Sequence, residues 1–275
     1  MFLRFKFFIL FAFLTLGGVS AVCAQANTDK ADKTAKKEKQ NGKQKADAAK
    51  NYTAEQIAES TVVIYGGLGG RANLNQIRKT SLERGKISIV NADGKTEQAN
   101  YERWILRADT LDKERIRFEQ EFPNARYALV YAGDKIFGLY NDSVFTPRED
   151  ASKAFENQIW HGLEALLRYK ENGATVALAG RDKLMGVDFY MLDVTDKQNR
   201  KTRFYISSKT FRVMMLEYTE GETKYRRRFY DYNYAQGTLF PFRNVLWAND
   251  KQIEETDVQT VTFGQKLEES IFQES

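Results

Sequence analysis

The chain has 275 residues, with 42 basic and 37 acidic side chains and a formal net charge of +5. That excess belongs to the N-terminus: Arg4 and Lys6 open the chain, eight lysines stand against four acids in 25–51, and 32 bases and 33 acids remain in 52–275, a net charge of −1. A neutral folded region lacks the basic face that nucleic-acid binding requires. One histidine, His161, and one cysteine, Cys23, leave no material for a His-rich zinc site, a cysteine cluster or a cysteine-nucleophile dyad in the mature domain. No metal or cofactor is expected.

Residues 1–24 read as a secretory signal. Arg4 and Lys6 form a charged start, Phe7 to Leu16 an apolar run, and Gly17-Gly18 a break. Small residues allow cleavage after Ala24 or Ala26. The apolar run is shorter than the roughly 20 residues that span a bilayer. Cys23 offers a lipid-anchored alternative, although Val22 stands where Gly, Ala or Ser usually precedes an acylated cysteine. Residues 25–51 lack aromatic and large aliphatic side chains, so disorder is expected there. This Lys-rich tail is either a solvated tether or a weak contact for an anionic surface.

From residue 52 to 275 the pattern predicts one mainly β domain. Thr53 and Gln56 form a capping-box pattern before a helix whose apolar face carries Ala54, Ile57, Ala58, Thr61, Ile64 and Tyr65. Gly66 to Gly70 then reads as a helix stop and reversal, with a short turn at 73–77. These glycines follow a helix instead of opening one, which is the wrong context for a phosphate loop. Strands are expected at 79–91, 95–107, 113–122, 126–132 and 135–141, then a helix at 149–170. Further strands follow at 174–181, 186–195, 201–207, 211–220, 223–235, 242–249 and 252–263. Asp93-Gly94 and Gly133-Asp134 mark hairpins. No βαβ alternation occurs, so the strands pair sequentially and antiparallel. Long sequential strands twist and curl, giving a curved sheet as an open or closed barrel with the helices over one mouth or the concave face.

In the central helix, Phe155, Ile159, Leu163, Leu166 and Leu167 fall on one stripe, which should face the sheet. His161 falls nearly opposite, toward solvent. Two later strands are apolar on both faces. In 187–194, Val187, Phe189 and Met191 alternate with Tyr190, Leu192 and Val194. In 211–219, Phe211, Val213 and Met215 alternate with Met214, Leu216 and Tyr218. Two apolar faces need two partners, either helices and a second wall of the core or helices and a ligand. The carboxylates Asp188, Asp193, Glu217 and Asp231 offer a further possibility, a pair for glycoside hydrolysis, although acids are common enough here for chance pairs.

Several stretches carry a family resemblance. They are Val187–Asp196 (VDFYMLDVTD), Lys201–Thr210 (KTRFYISSKT), Met214-Met215-Leu216-Glu217, Phe229-Tyr230-Asp231-Tyr232, Gly237-Thr238-Leu239-Phe240-Pro241 and Ile253–Val258 (IEETDV). Thr53–Ile57, the Gly-rich stop and Ile77-Arg78-Lys79-Thr80 add to them. Over about 52–272 the chain resembles the periplasmic outer-membrane lipoprotein-sorting proteins, relatives of the carrier LolA and its receptor LolB; the Lys-rich tail departs from that pattern. The resemblance implies an unclosed antiparallel half-barrel, with N-terminal and central helices as a lid over an apolar cavity. It implies an exported, non-enzymatic periplasmic protein that binds lipid or lipoprotein acyl chains. No functional residue of the family is carried over. The apolar stripe, Met214 and Leu216 are the candidate lipid-facing residues. The expected partners are acyl chains, with transient membrane or envelope-protein contact, no nucleic acid, and a monomeric state. The alternative is an envelope scaffold whose barrel is filled by its own side chains and which binds a protein partner.

Overall fold

The structure is a computed structural model that describes residues 51–274 except Ala92 and Asp142. The expected signal segment, and the Lys-rich tail up to Lys50, lie outside the described residues.

The capping box forms as expected. Thr53 accepts from the Gln56 amide at 3.2 Å and Gln56 returns the bond at 2.9 Å, starting α1 (Ala54–Gly66). The glycine run does more than stop the helix. Gly67 and Gly70 take φ of 64° and 52°, conformations that L side chains resist. The chain reverses through them into α2 (Gly70–Ile77), where a short turn was expected; burial of Leu74 fixes this helix.

Thirteen strands then form one sheet. The first six are β1 (Thr80–Val90), β2 (Thr96–Leu106), β3 (Arg115–Phe122), β4 (Ala125–Ala132), β5 (Lys135–Tyr140) and β6 (Ser143–Phe145). After α3 (Glu149–Trp160) and α4 (Leu163–Leu167) come β7 (Thr175–Leu184), β8 (Val187–Thr195), β9 (Lys201–Ser207), β10 (Val213–Glu220), β11 (Thr223–Ala235), β12 (Thr238–Ala248) and β13 (Lys251–Phe263). The order is β6-β5-β4-β3-β2-β1-β13-β12-β11-β10-β9-β8-β7. Two antiparallel meanders are thus zipped together by β1 against β13, with Ser81 opposite Phe263 and Ile87 opposite Thr256. β6 and β7 are the two free edges, so the sheet is an unclosed half-barrel with helices.

One strand, β6, escapes sequence reading because it is three residues long and exposed throughout. Its Phe145 ring lies over Gly138, where an added Cβ would come within 2.2 Å of the ring. The expected central helix is two. Gly162 adopts an extended conformation (ψ 178°) and separates α3 from α4. The apolar spacing runs through the break, so periodicity alone could not place it, whereas the low helix propensity of glycine does.

The inner face of the sheet carries two cores. The larger joins α1, α2 and α4 to β8–β12, with Ile57, Tyr65, Leu166, Leu192, Phe204 and Leu216 at its centre. The smaller joins α3 to β1–β4 through Phe155, Ile159, Ile87, Ile116 and Phe118. A further cluster, Phe189, Tyr205 and Met215, sits on the opposite face of β8–β10. Every member of that cluster, Met191 and Met214 included, comes from β8–β10, so the expected second partner of these strands is not found among the described residues.

Candidate functional site

Between the sheet and the α3–α4 junction lies a cavity of about 150 Å³. Strand alternation turns Ile116 of β3, Phe229 of β11 and Phe240 of β12 toward it, a bulge at Gln259 brings both Val258 and Val261 of β13 to the same side, and the helices add Ile159 and Leu163. These residues give it an apolar wall. Arg78, Arg103, Arg107, Glu83, Glu114 and Glu164 give it a charged one, so the apolar interior expected from the resemblance is amphipathic here.

The charges form a connected network. Glu164, at the start of α4, takes Arg107 Nη2 at 2.7 Å and Arg78 Nη1 at 3.0 Å. Arg107 continues to Glu114 at 3.3 Å, and Arg168, just past α4, reaches the same carboxylate. Arg78 also donates to the Leu239 carbonyl at 2.6 Å and lies 5.3 Å over the Phe263 ring. Burial alone would raise the Glu164 pKa, but the guanidiniums of Arg107, Arg78 and Arg168 outweigh it and hold the value at about 2. The carboxylate is therefore ionised across the physiological range and pins α4 to the residues flanking β1 and β2.

α3 is tied more lightly. Phe155 stacks on Phe118 at 6.2 Å, Trp160 meets Tyr131 edge-on at 5.9 Å, and Gln158 reaches Glu254 of β13 at 3.4 Å.

His161 is not on the solvent side. It is buried at the break, with Nδ1 2.6 Å from Thr202 Oγ1 and its ring stacked on Tyr218 at 4.0 Å. Because α3 ends at Trp160, the helical angle that pointed His161 outward no longer applies. Burial, assisted by the charge of Arg200, lowers its pKa to about 4.

Of the seven candidate lipid-facing residues, Ile159 and Leu163 line the cavity. Phe155 belongs to the smaller core, and Leu166, Leu167 and Leu216 to the larger one. Met214 packs with the cluster on the other face. A register shift between Val213 and Met215 is the reason. The extra residue of a bulge puts neighbours on one side, so Met214 joins Met215 and parts from Leu216. The charged wall went unread in the sequence. Its one signal is Glu164, a lone acid in the otherwise apolar LEALL of α4.

Two of the four carboxylates considered for hydrolysis, Glu217 and Asp193, are held in ion pairs. Glu217 accepts from Tyr205 at 2.9 Å, Arg226 at 2.8 Å and Lys224 at 3.1 Å. Asp193 is held by Arg203 and Lys201, each at 2.7 Å. Burial opposes, but these donors bring both pKa values below the ordinary carboxylate range. That is the opposite of what a general acid needs.

An unclosed antiparallel half-barrel with helices on its inner face is a LolA-like fold. Solved structures that share it include the following three. A DUF1329 family protein from Desulfovibrio piger superposes with a TM-score of 0.58 at 13% identity, covering 81% of this chain and 98% of the other. A LolA superfamily protein from Nitrosomonas europaea gives 0.56 at 14% identity, over 81% and 98%. An outer membrane lipoprotein-sorting type domain from Vibrio parahaemolyticus gives 0.54 at 13% identity, over 78% and 97%. No protein-family model and no curated protein matches the chain.

Proposed function

We propose that this protein is an exported, periplasmic binding protein for lipid or lipoprotein acyl chains, and that it works without catalysis. The observation that carries the reading is the α3–α4 pair laid over a cavity with an apolar wall, within a fold shared with lipoprotein-sorting type domains. Moving about fifteen methylenes from water into such a space would gain on the order of 12 kcal/mol before ordering costs. A cavity of about 150 Å³ lies below the roughly 300–1,000 Å³ of ordinary ligand sites. On this reading the described conformation is a closed one, and loading requires the helices to move. The break at Gly162 supplies a place to bend, and the Glu164 ion pairs act as the catch.

Native mass spectrometry of protein purified from membrane-containing extract should show a co-purifying lipid, and stripped protein should take up a fluorescent fatty acid. A uniformly unliganded species that takes up no probe would overturn the reading.

The small volume and the buried ion network support a second reading, an envelope scaffold with a self-filled interior that binds a protein partner. It predicts no lipid at any stage of purification.

A further inference from the structure

A second pocket, of about 300 Å³, adjoins the first. It is built by the segment after β2 (Thr110 to Lys113), the helix junction (Trp160 and Ala165), the loop before β7 (Asn172 and Ala174) and the β8–β9 turn. Leu111 lines both spaces. Thr202 on the outer side bonds His161 on the inner side, so the wall between them is the helix break itself.

Its chemistry differs from that of the first. Asn172 Nδ2 and Thr110 Oγ1 are buried with no hydrogen-bond partner among the described residues. Asn172 is already oriented, because its Oδ1 accepts from the Leu111 amide at 3.0 Å, leaving the amide nitrogen as a spare donor. Buried donors without partners cost free energy that a ligand acceptor would recover. The Lys197 side chain lies across Gly173, where φ is 63° and an added Cβ would come within 2.4 Å of Lys197 Cε. Glycine therefore leaves the room that places this lysine at the pocket. Lys113 stands on the facing segment, and neither lysine has an ion pair among the described residues. Of the other charges, Arg200 is neutralised by Asp196 at 2.6 Å and rests 4.0 Å over the Trp160 ring. Asp112 is the one opposing carboxylate left. The balance is donor-rich and cationic, beside an apolar strip formed by Leu111, Ala165 and Val194.

We propose that this pocket takes the phosphoryl head group of a lipid whose chain occupies the adjoining cavity. The assignment rests on the carrier reading above. It names the ligand as an anionic phosphate ester and Lys113, Lys197 and Asn172 as the groups that hold it.

The test uses three probes on the full chain: lysophosphatidic acid, a monoacylglycerol of the same chain length, and glycerol 3-phosphate. The first should bind about tenfold more tightly than the second, as expected for two solvent-exposed ion pairs. The double variant Lys113→Gln/Lys197→Gln should erase that preference and leave monoacylglycerol binding unchanged. Both lysines are exposed, so the variant should keep the wild-type melting temperature. Asn172→Leu gives a second, charge-neutral reading of the same preference. Equal binding of the two lipids, or equal losses for both in the variants, overturns the head-group site while leaving the carrier reading intact. Lysine-dependent binding of glycerol 3-phosphate without any lipid preference reassigns the pocket to free phosphate esters and also overturns the proposal. Binding of neither lipid overturns the carrier reading together with it.

Discussion

The two meanders of the sheet share one hydrogen-bonded surface but are covered differently. β8–β12 lie under α1, α2 and α4, and their core is apolar and fully buried, with Leu166, Leu192, Phe204 and Leu216 at 0% exposure. β1–β4 lie under α3, with a smaller cluster, and the space between the two cores holds the cavity and its ion network. On the carrier reading, the contrast separates a fixed half from a movable one. Displacing α1 would strip a large apolar area from the first core. Displacing α3 would cost the Phe155 and Ile159 contacts, the Lys153–Glu220 ion pair to β10 at 2.9 Å and the Gln158–Glu254 hydrogen bond. α4 belongs to both regimes, with Leu166 and Leu167 anchored in the fixed core and Leu163 and Glu164 at the cavity. A lid that opens should therefore swing on α3 and bend near Gly162.

The comparison can be broken by mutation, and the largest effect belongs to the fixed half. Leu166→Ala should cost about 2–5 kcal/mol in chemical denaturation, the range for buried leucine truncation. A cost below about 1 kcal/mol would mean that the larger core is not the rigid one.

Second in size is the pH response of the boundary. His161 is neutral in the folded protein down to about pH 4, whereas an unfolded histidine protonates near 6.5. Its contribution is present above about pH 6.5 and is lost as pH falls toward 4, to a limit of roughly 3 kcal/mol. Since it is the single histidine, its imidazole resonance can be followed without assignment. A midpoint near 6.5 would place the ring in solvent after all, and His161→Gln should flatten the stability profile over that window.

Next comes the catch. Glu164→Gln leaves Arg78 and Arg107 short of a carboxylate and should cost roughly 1–3 kcal/mol, below the full price of a buried charge because Glu164 keeps 23% side-chain exposure. It should also speed probe uptake, since the helix is released. Slower uptake would mean that the ion pairs build the site instead of closing it. As the folded pKa of Glu164 is depressed, its contribution is present above about pH 4.5 and disappears as pH falls toward 2.

The smallest stability effect is expected at Leu163, which is half-buried and borders a void. Leu163→Ala should cost about 1 kcal/mol, less than Leu166→Ala, because the neighbouring space already exists. Leu163→Gln should weaken fatty-acid binding more than it weakens folding. Full loss of stability with unchanged probe binding in the surviving folded fraction would remove Leu163 from the lid.

Much of this contrast was legible in the sequence. Alternation and hairpin glycines mark twelve of the thirteen strands, and the Thr53–Gln56 pair marks the start of α1. The missed features share a cause. They depend on contacts or breaks that no local period records. α2 forms because Leu74 finds the larger core, and β6 because Phe145 finds Gly138. The bulge beside Met214 and the extended Gly162 each interrupt a period that continues smoothly in the sequence. Arg78, Arg107, Glu114, Glu164 and Arg168 meet across up to 90 residues of chain, and no local spacing announces such a network. His161 was misplaced for the same reason, since its helical angle was measured along a helix that had already ended.

The central claim, that chains enter by displacement of α3, can be tested by tying that helix down. Gln158 on α3 and Glu254 on β13 touch at 3.4 Å. In a Cys23→Ser background, Gln158→Cys and Glu254→Cys can be joined by a short bis-methanethiosulfonate reagent, which forms a reducible disulfide with each thiol and releases methanesulfinate. The cross-linked protein should take up no fluorescent fatty acid, and reduction of the linker should restore uptake to the level of the uncross-linked variant. Uptake that persists unchanged with the linker in place would contradict the account.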